Sequence, residues 1–236
     1  MSIRVILFDL DGTLLPMDQE VFVKHYFGGL ARKLAPHGYD AQVLVASIWK
    51  GTEAMVRNDG TRTNEQCFWD TFCECVGRDV TADAYLFDEF YRDDFDGIRS
   101  ACGYDPRAKK CIDRLRSMGY RVALATNPIF PSVATECRMR WAGLDASDFE
   151  LFTTYERSHF CKPNPDYYRE VVSKMGVSPD ECLMVGNDVD EDMVAQTLGM
   201  KVFLLTDCLI NRKDKDISVY PNGSFDELME YCENLS

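Results

Sequence analysis

Two carboxylates one residue apart, Asp9 and Asp11, end an apolar run (Val5, Ile6, Leu7, Phe8) and are followed by Gly12 and Thr13. Three more polar clusters stand behind apolar runs or loops: Thr126-Asn127, Lys162 before Pro163, and Asn187, Asp188 and Asp192. Together these residue types suit a phosphoryl group. A carboxylate can attack phosphorus and hold it as an acyl phosphate. A second carboxylate two residues on reaches the same centre as general acid and then general base. Clustered carboxylates suit Mg²⁺, which accepts phosphate oxygens in its shell and offsets the repulsion between a carboxylate nucleophile and an anionic ester. A hydroxyl and an amide, here Thr126 and Asn127, cradle the remaining oxygens, and a lysine neutralises charge.

Taken singly, each cluster has an ordinary structural reading. Asp-x-Asp-Gly favours a turn, a lysine before proline suits a solvated loop, and Asp188 and Asp192 suit the dipole of a helix N-terminus. What argues for one site is their order, each at the end of a strand or in the loop after it. A parallel sheet gathers the carboxyl ends of its strands, and open α/β sheets place their reactive groups there.

The elements that must position them follow from hydrophobic periodicity. Apolar runs ending at Asp9 and over 120–125, 151–153, 182–185 and 202–205 read as buried parallel strands. Between the first two the chain is helical: residues 18–35, 41–49 ended near Gly51, 64–76 and 83–95, with a polar loop at 57–64. Residues 106–118, 132–141, 166–175 and a short segment ending at Gly199 supply helices between the later strands, with Gly119 and Gly176 as stops. Ser224 and Glu227 form a capping box that opens a closing helix over 225–235. The expected fold is α/β: a Rossmann-like, doubly wound parallel sheet (residues 1–15 and 99–236) with an inserted α-helical domain (16–98).

Composition excludes other classes. The net charge of −13 argues against a nucleic-acid partner, which would draw on clustered Lys and Arg. It leaves room for a small anionic substrate, because a metal and one or two local cations invert the field inside a pocket. No apolar stretch approaches the roughly 20 residues of a spanning helix, and the N-terminus lacks a signal-peptide pattern, so a cytoplasmic protein without a membrane partner is expected. The ten cysteines include no CxxC pair and only three histidines accompany them. Reduced thiols acting as small core residues are therefore expected.

The motifs DLDGTLL (9–15), LATN (124–127), CKPNPDYY (161–168) and MVGNDVDED (184–192) resemble the haloacid dehalogenase (HAD) superfamily, in the branch with a helical cap after the first motif. The resemblance covers the whole chain. It implies Asp9 as nucleophile, Asp11 as general acid and base, Thr126 and Asn127 as phosphate binders, and Lys162 as the charge-neutralising lysine. It implies Mg²⁺ held by Asp9, Asp11, Asp188 and Asp192. The fourth motif departs from the family form, in which Asp follows Gly directly: here Asn187 stands there. With one residue inserted, Asp188 and Asp192 keep the family spacing; without it, Asn187 occupies a ligand position.

The implied function is a Mg²⁺-dependent phosphatase of a small phosphorylated metabolite, working through an aspartyl-phosphate on Asp9 as a monomer or homodimer. A phosphomutase of the same fold is an alternative. A 2-haloacid dehalogenase is disfavoured, since those relatives lack the second Asp. A catalytically silent binding protein is the reading from another class, encouraged only by Asn187. In the cap loop, Asn58, Arg62 and Asn64 are candidates to touch the substrate, against the reading of a solvated connector. Phe68, Trp69 and Phe72 fit a helix core face better than a ligand box.

Overall fold

The computed structural model describes residues 2–235. Its organising element is β1 (Val5–Phe8), whose four residues are all buried. A strand covered on both faces needs apolar side chains throughout, so no alternation appears in the sequence. β1 lies inside a six-stranded, all-parallel sheet of order β3-β2-β1-β4-β5-β6. The others are β2 (Arg121–Leu124), β3 (Leu151–Phe152), β4 (Cys182–Gly186), β5 (Lys201–Leu205) and β6 (Asn222–Gly223). The two-residue β6 is too short to leave a periodic signal and is not anticipated from sequence.

Alternate residues of β1 feed two separate cores. Ile6 and Phe8 pack in one cluster with α5 (Pro106–Ser117), α6 (Ser132–Trp141) and α8 (Phe225–Glu233). Val5 and Leu7 pack in the other with α7 (Pro165–Met175). Helices on both faces make the sheet doubly wound. The chain leaves β1 toward β2 and β3, then returns to place β4 on the opposite side of β1. That reversal opens a crevice at the carboxyl ends of β1 and β4. The register aligns Phe8 with Leu124 on one side and Val185 on the other, so Asp9, Thr126 and Asn187 emerge close together.

Between β1 and β2 run α1 (Gln19–Leu34), α2 (Ala41–Val56), α3 (Asn64–Val76) and α4 (Ala84–Glu89). The chain enters and leaves this segment side by side: Met17 bridges Cys102, and the Gly103 amide donates to the Pro16 carbonyl at 2.7 Å. After Glu89 the expected long helix loosens into a π turn over Phe90–Asp94 and 3₁₀ turns over Phe95–Ala101.

α2 does not stop near Gly51 but continues to Val56. Gly51 lies against α3, and a Cβ there would come within 2.6 Å of the Phe68 ring. Close helix approach, rather than termination, is what requires glycine. Gly51→Val is expected to destabilise the fold by about 1–3 kcal/mol through overpacking, read from urea denaturation. All ten cysteines are free, and Cys67, Cys111, Cys137, Cys161, Cys182 and Cys232 are buried. Among the described residues no helix is long and apolar enough to cross a membrane.

Candidate active site

Asp9 follows the last residue of β1, and its amide donates to the Val185 carbonyl of β4 at 2.9 Å, so sheet pairing itself fixes the carboxylate's origin. Its Oδ1 accepts from Lys162 Nζ at 2.9 Å, and its Oδ2 from Thr13 Oγ1 at 3.2 Å. Lys162 also donates to Asp192 Oδ1 at 2.6 Å, and both side chains are only 1% exposed. Burial alone would pull the Lys162 ammonium down. The Asp192 and Asp9 carboxylates outweigh it and hold the group well above the ordinary lysine value, so it stays charged.

Asp11, two residues on, points elsewhere. Its Oδ2 forms an ion pair with Arg138 of α6, while its Oδ1 is buried without a hydrogen-bond partner. Burial raises the Asp11 carboxyl to about 6, against the opposing pull of Arg138. Directly after Asp11 the chain turns at Gly12, where φ is +88° and a Cβ would lie 2.3 Å from Asn187 Nδ2. A side chain is excluded there on both counts, strain and space.

Asn187 uses its amide structurally: Oδ1 accepts from Thr13 at 2.9 Å and Nδ2 donates to the Cys208 carbonyl at 2.6 Å. Asp192 has both oxygens engaged, Oδ1 by Lys162 and Oδ2 by the Asp188 amide at 2.9 Å. Asp188 Oδ1 accepts from the amides of Asp190 and Glu191, and Oδ2 pairs with Arg212 at 2.7 Å. At the end of β2, Asn127 accepts from the Lys162 amide at 3.2 Å and donates to Glu191 at 3.0 Å. Burial pushes the Glu191 carboxyl up to about 7.

These groups form the floor of a cavity of about 360 Å³. Asp9, Asp11, Thr126, Asn127, Asp188 and Asp192 all line it, although their positions span most of the chain. Asn58 and Arg62 do not. Asn58 is buried in its own loop, donating to the Arg62 carbonyl at 2.8 Å and Asn64 Oδ1 at 2.9 Å. Arg62 pairs with Asp70 on the surface. The loop holds the helical segment to the sheet domain instead: Asn64 donates to the carbonyls of Pro128 at 3.2 Å and Phe160 at 3.3 Å. The expectation that Asn58 and Arg62 face a substrate is therefore corrected. The reading of the α3 aromatics divides: Phe72 is wholly buried in the core, whereas Phe68 and Trp69 pack in it and also line the cavity.

Sequence reasoning missed Arg138, Glu191, Arg212 and Thr13. A signal existed for Arg138. Ala134, Cys137, Arg138 and Trp141 recur at helical spacing, placing a cation inside an apolar stripe, where it needs an anionic partner. Arg212, from the loop after β5, carries no such mark.

A magnesium ion needs few protein donors, since it keeps several waters and takes one or two carboxylates plus substrate phosphate. Among the described residues no three carboxylate, imidazole or thiol side chains converge to hold an ion by themselves. Asp9 and Asp188 line the same cavity and offer the one or two carboxylates, all oxygen donors, that fit this chemistry.

A family model for haloacid dehalogenase-like hydrolases matches residues 3–195. Hexitol phosphatase A of Escherichia coli is 29% identical over 185 residues, 78% of this chain and 74% of its own. Phosphoglycolate phosphatase of Aliivibrio fischeri is 26% identical over 209 residues, 87% and 85% of the two chains. Among solved structures, YfnB of Bacillus subtilis, described as bound to magnesium, covers 98% of this chain and 99% of its own with a TM-score of 0.56 at 18% identity. With that family match over most of its length, and with the parallel sheet that carries the four motifs, this chain belongs to the haloacid dehalogenase-like hydrolases.

Proposed function

We propose that this hydrolase is a Mg²⁺-dependent phosphatase of a small phosphate monoester, acting through an aspartyl-phosphate on Asp9. One observation carries the reading: Asp9 faces the cavity while a buried, charged Lys162 holds it from behind, itself anchored by Asp192. Phosphatase relatives support the reaction class.

In this mechanism Asp9 attacks phosphorus, and the ester oxygen leaves with the proton of Asp11. The Asp11 carboxylate then takes a proton from water, which attacks the acyl phosphate, releases inorganic phosphate and restores Asp9. The raised Asp11 carboxyl suits proton delivery. Thr126 and Asn127 hold the phosphoryl oxygens, and Lys162 neutralises charge on Asp9. Magnesium, when bound, would polarise the phosphoryl group and offset its charge; Asp9 and Asp188 would hold it, which leaves the Asp11 carboxyl to carry the proton. Asp192, 1% exposed and ion-paired with Lys162, is a positioning residue for that lysine. The helical segment over residues 16–98 acts as the cap that excludes bulk water.

A panel of alkyl and aryl phosphate esters, assayed with Mg²⁺ and after EDTA treatment, tests the reading. Metal-dependent phosphate release on at least one ester is expected; its absence on all would overturn the phosphatase assignment. A stable phosphoenzyme and a bisphosphate requirement would instead favour the phosphomutase.

Arg138 positions the acid. Arg138→Met is expected to lower kcat for alkyl esters by about 10²-fold, within the range of general acid catalysis. Aryl esters, whose leaving groups need no proton, lose much less, and Arg138→Lys restores part of the alkyl rate. Equal losses on both ester types would reduce Arg138 to a packing role.

A further inference from the structure

Resting on the phosphatase reading, we propose that the organic part of the ester is apolar and not anionic: one aromatic ring or a branched hydrocarbon group. Above the polar floor, the wall contributed by the helical segment and by the loop after β2 is apolar, with Phe22, Tyr26, Trp49, Phe68, Trp69 and Phe130. Much of this aromatic surface belongs to the core, but not all of it is covered. Trp49 lines the cavity, packs on Phe27 and remains 51% exposed.

Several polar groups in that wall already bond within the protein. The Tyr26 and Tyr91 hydroxyls bond each other at 2.8 Å, and Thr52 donates back to the Ile48 carbonyl at 2.9 Å. Gln19 accepts from Arg212 at 3.0 Å. A polyol would replace only part of its water contacts against so aromatic a wall, which penalises binding.

Charge points the same way. Arg212 is the one cationic side chain among the described residues lining the cavity, and it is paired with Asp188. Asp88 faces the cavity from the helical segment. A second anionic group on the substrate would meet the Asp88 carboxylate on that wall. The volume of about 360 Å³ lies near the lower end for small-molecule sites, which suits an ester of modest size.

The test compares three esters of primary alcohols with similar leaving groups: benzyl phosphate, 2-phosphoglycolate and glycerol phosphate, each with Mg²⁺. Benzyl phosphate is expected to lead in kcat/KM by about 10–100-fold, the range a buried apolar group supplies. Thr52→Lys, which puts a cation on the cavity wall outside the catalytic floor, is expected to narrow or reverse the preference over 2-phosphoglycolate. Hydrolysis led by 2-phosphoglycolate or glycerol phosphate would overturn the substrate class and leave the phosphatase reading standing. Hydrolysis of none of these three, nor of any ester in the wider panel, would overturn the phosphatase reading. The cavity's preference is then decided by binding alone: benzylphosphonate tighter than phosphonoacetate in calorimetry upholds it, and the reverse order overturns it.

Discussion

Asp9→Asn is expected to lower the steady-state rate on any productive ester by about 10⁴-fold or more, the scale seen when a covalent nucleophile is removed. The substitution is nearly isosteric. It also leaves Lys162 paired with Asp192 at 2.6 Å, so the floor of the site keeps its main ion pair. Stability should therefore change little while chemistry is lost, and a denaturation curve run beside the assay separates the two. Acid quenching during turnover adds a direct readout. Wild-type enzyme should retain hydroxylamine-labile phosphate on one carboxyl group, and Asp9→Asn should retain none. A variant with more than about 1% of wild-type activity would place the nucleophile elsewhere.

Lys162→Met is expected to act on stability and chemistry together. Removing one member of a buried ion pair leaves the other charge without compensation, at about 3–5 kcal/mol. Here the residual charge is Asp192, 1% exposed, with Asp9 beside it. The shift in the urea midpoint measures this directly. Lys162→Met combined with Asp192→Asn should be less destabilised than the sum of the single changes, because the second substitution removes the orphaned charge. Activity should not return with stability: the double variant regains its fold but has no cation behind Asp9. If additivity held, the Lys162–Asp192 pair would not be the element that organises this floor.

Much of the fold was legible because its signals are local. The strands around β1, β2, β4 and β5 are short, continuous apolar runs, and burial on both sheet faces makes such runs obligatory. The capping boxes that open α3 and α8 act within a few residues. Gly51 shows where local reasoning fails. Its glycine answers to Phe68 on a neighbouring helix, a contact that no feature of the adjoining residues announces.

The site divides along the same line. By itself the sequence determined the kinds of chemistry available. Asp9, Asp11, Thr126 and Lys162 stand in short motifs at strand ends or in loops, and a parallel sheet must bring those ends together. The tertiary structure alone decided how each group is used. It turned Asp9 toward Lys162 and Asp11 toward Arg138, committed Asp192 to the lysine, gave Asn187 to Thr13 and the Cys208 carbonyl, and drew Asn58 and Arg62 away from the cavity. The reason is electrostatic. A buried carboxylate takes its role from the partner that compensates it, and here the compensating cations lie far along the chain, set against the acids only by folding.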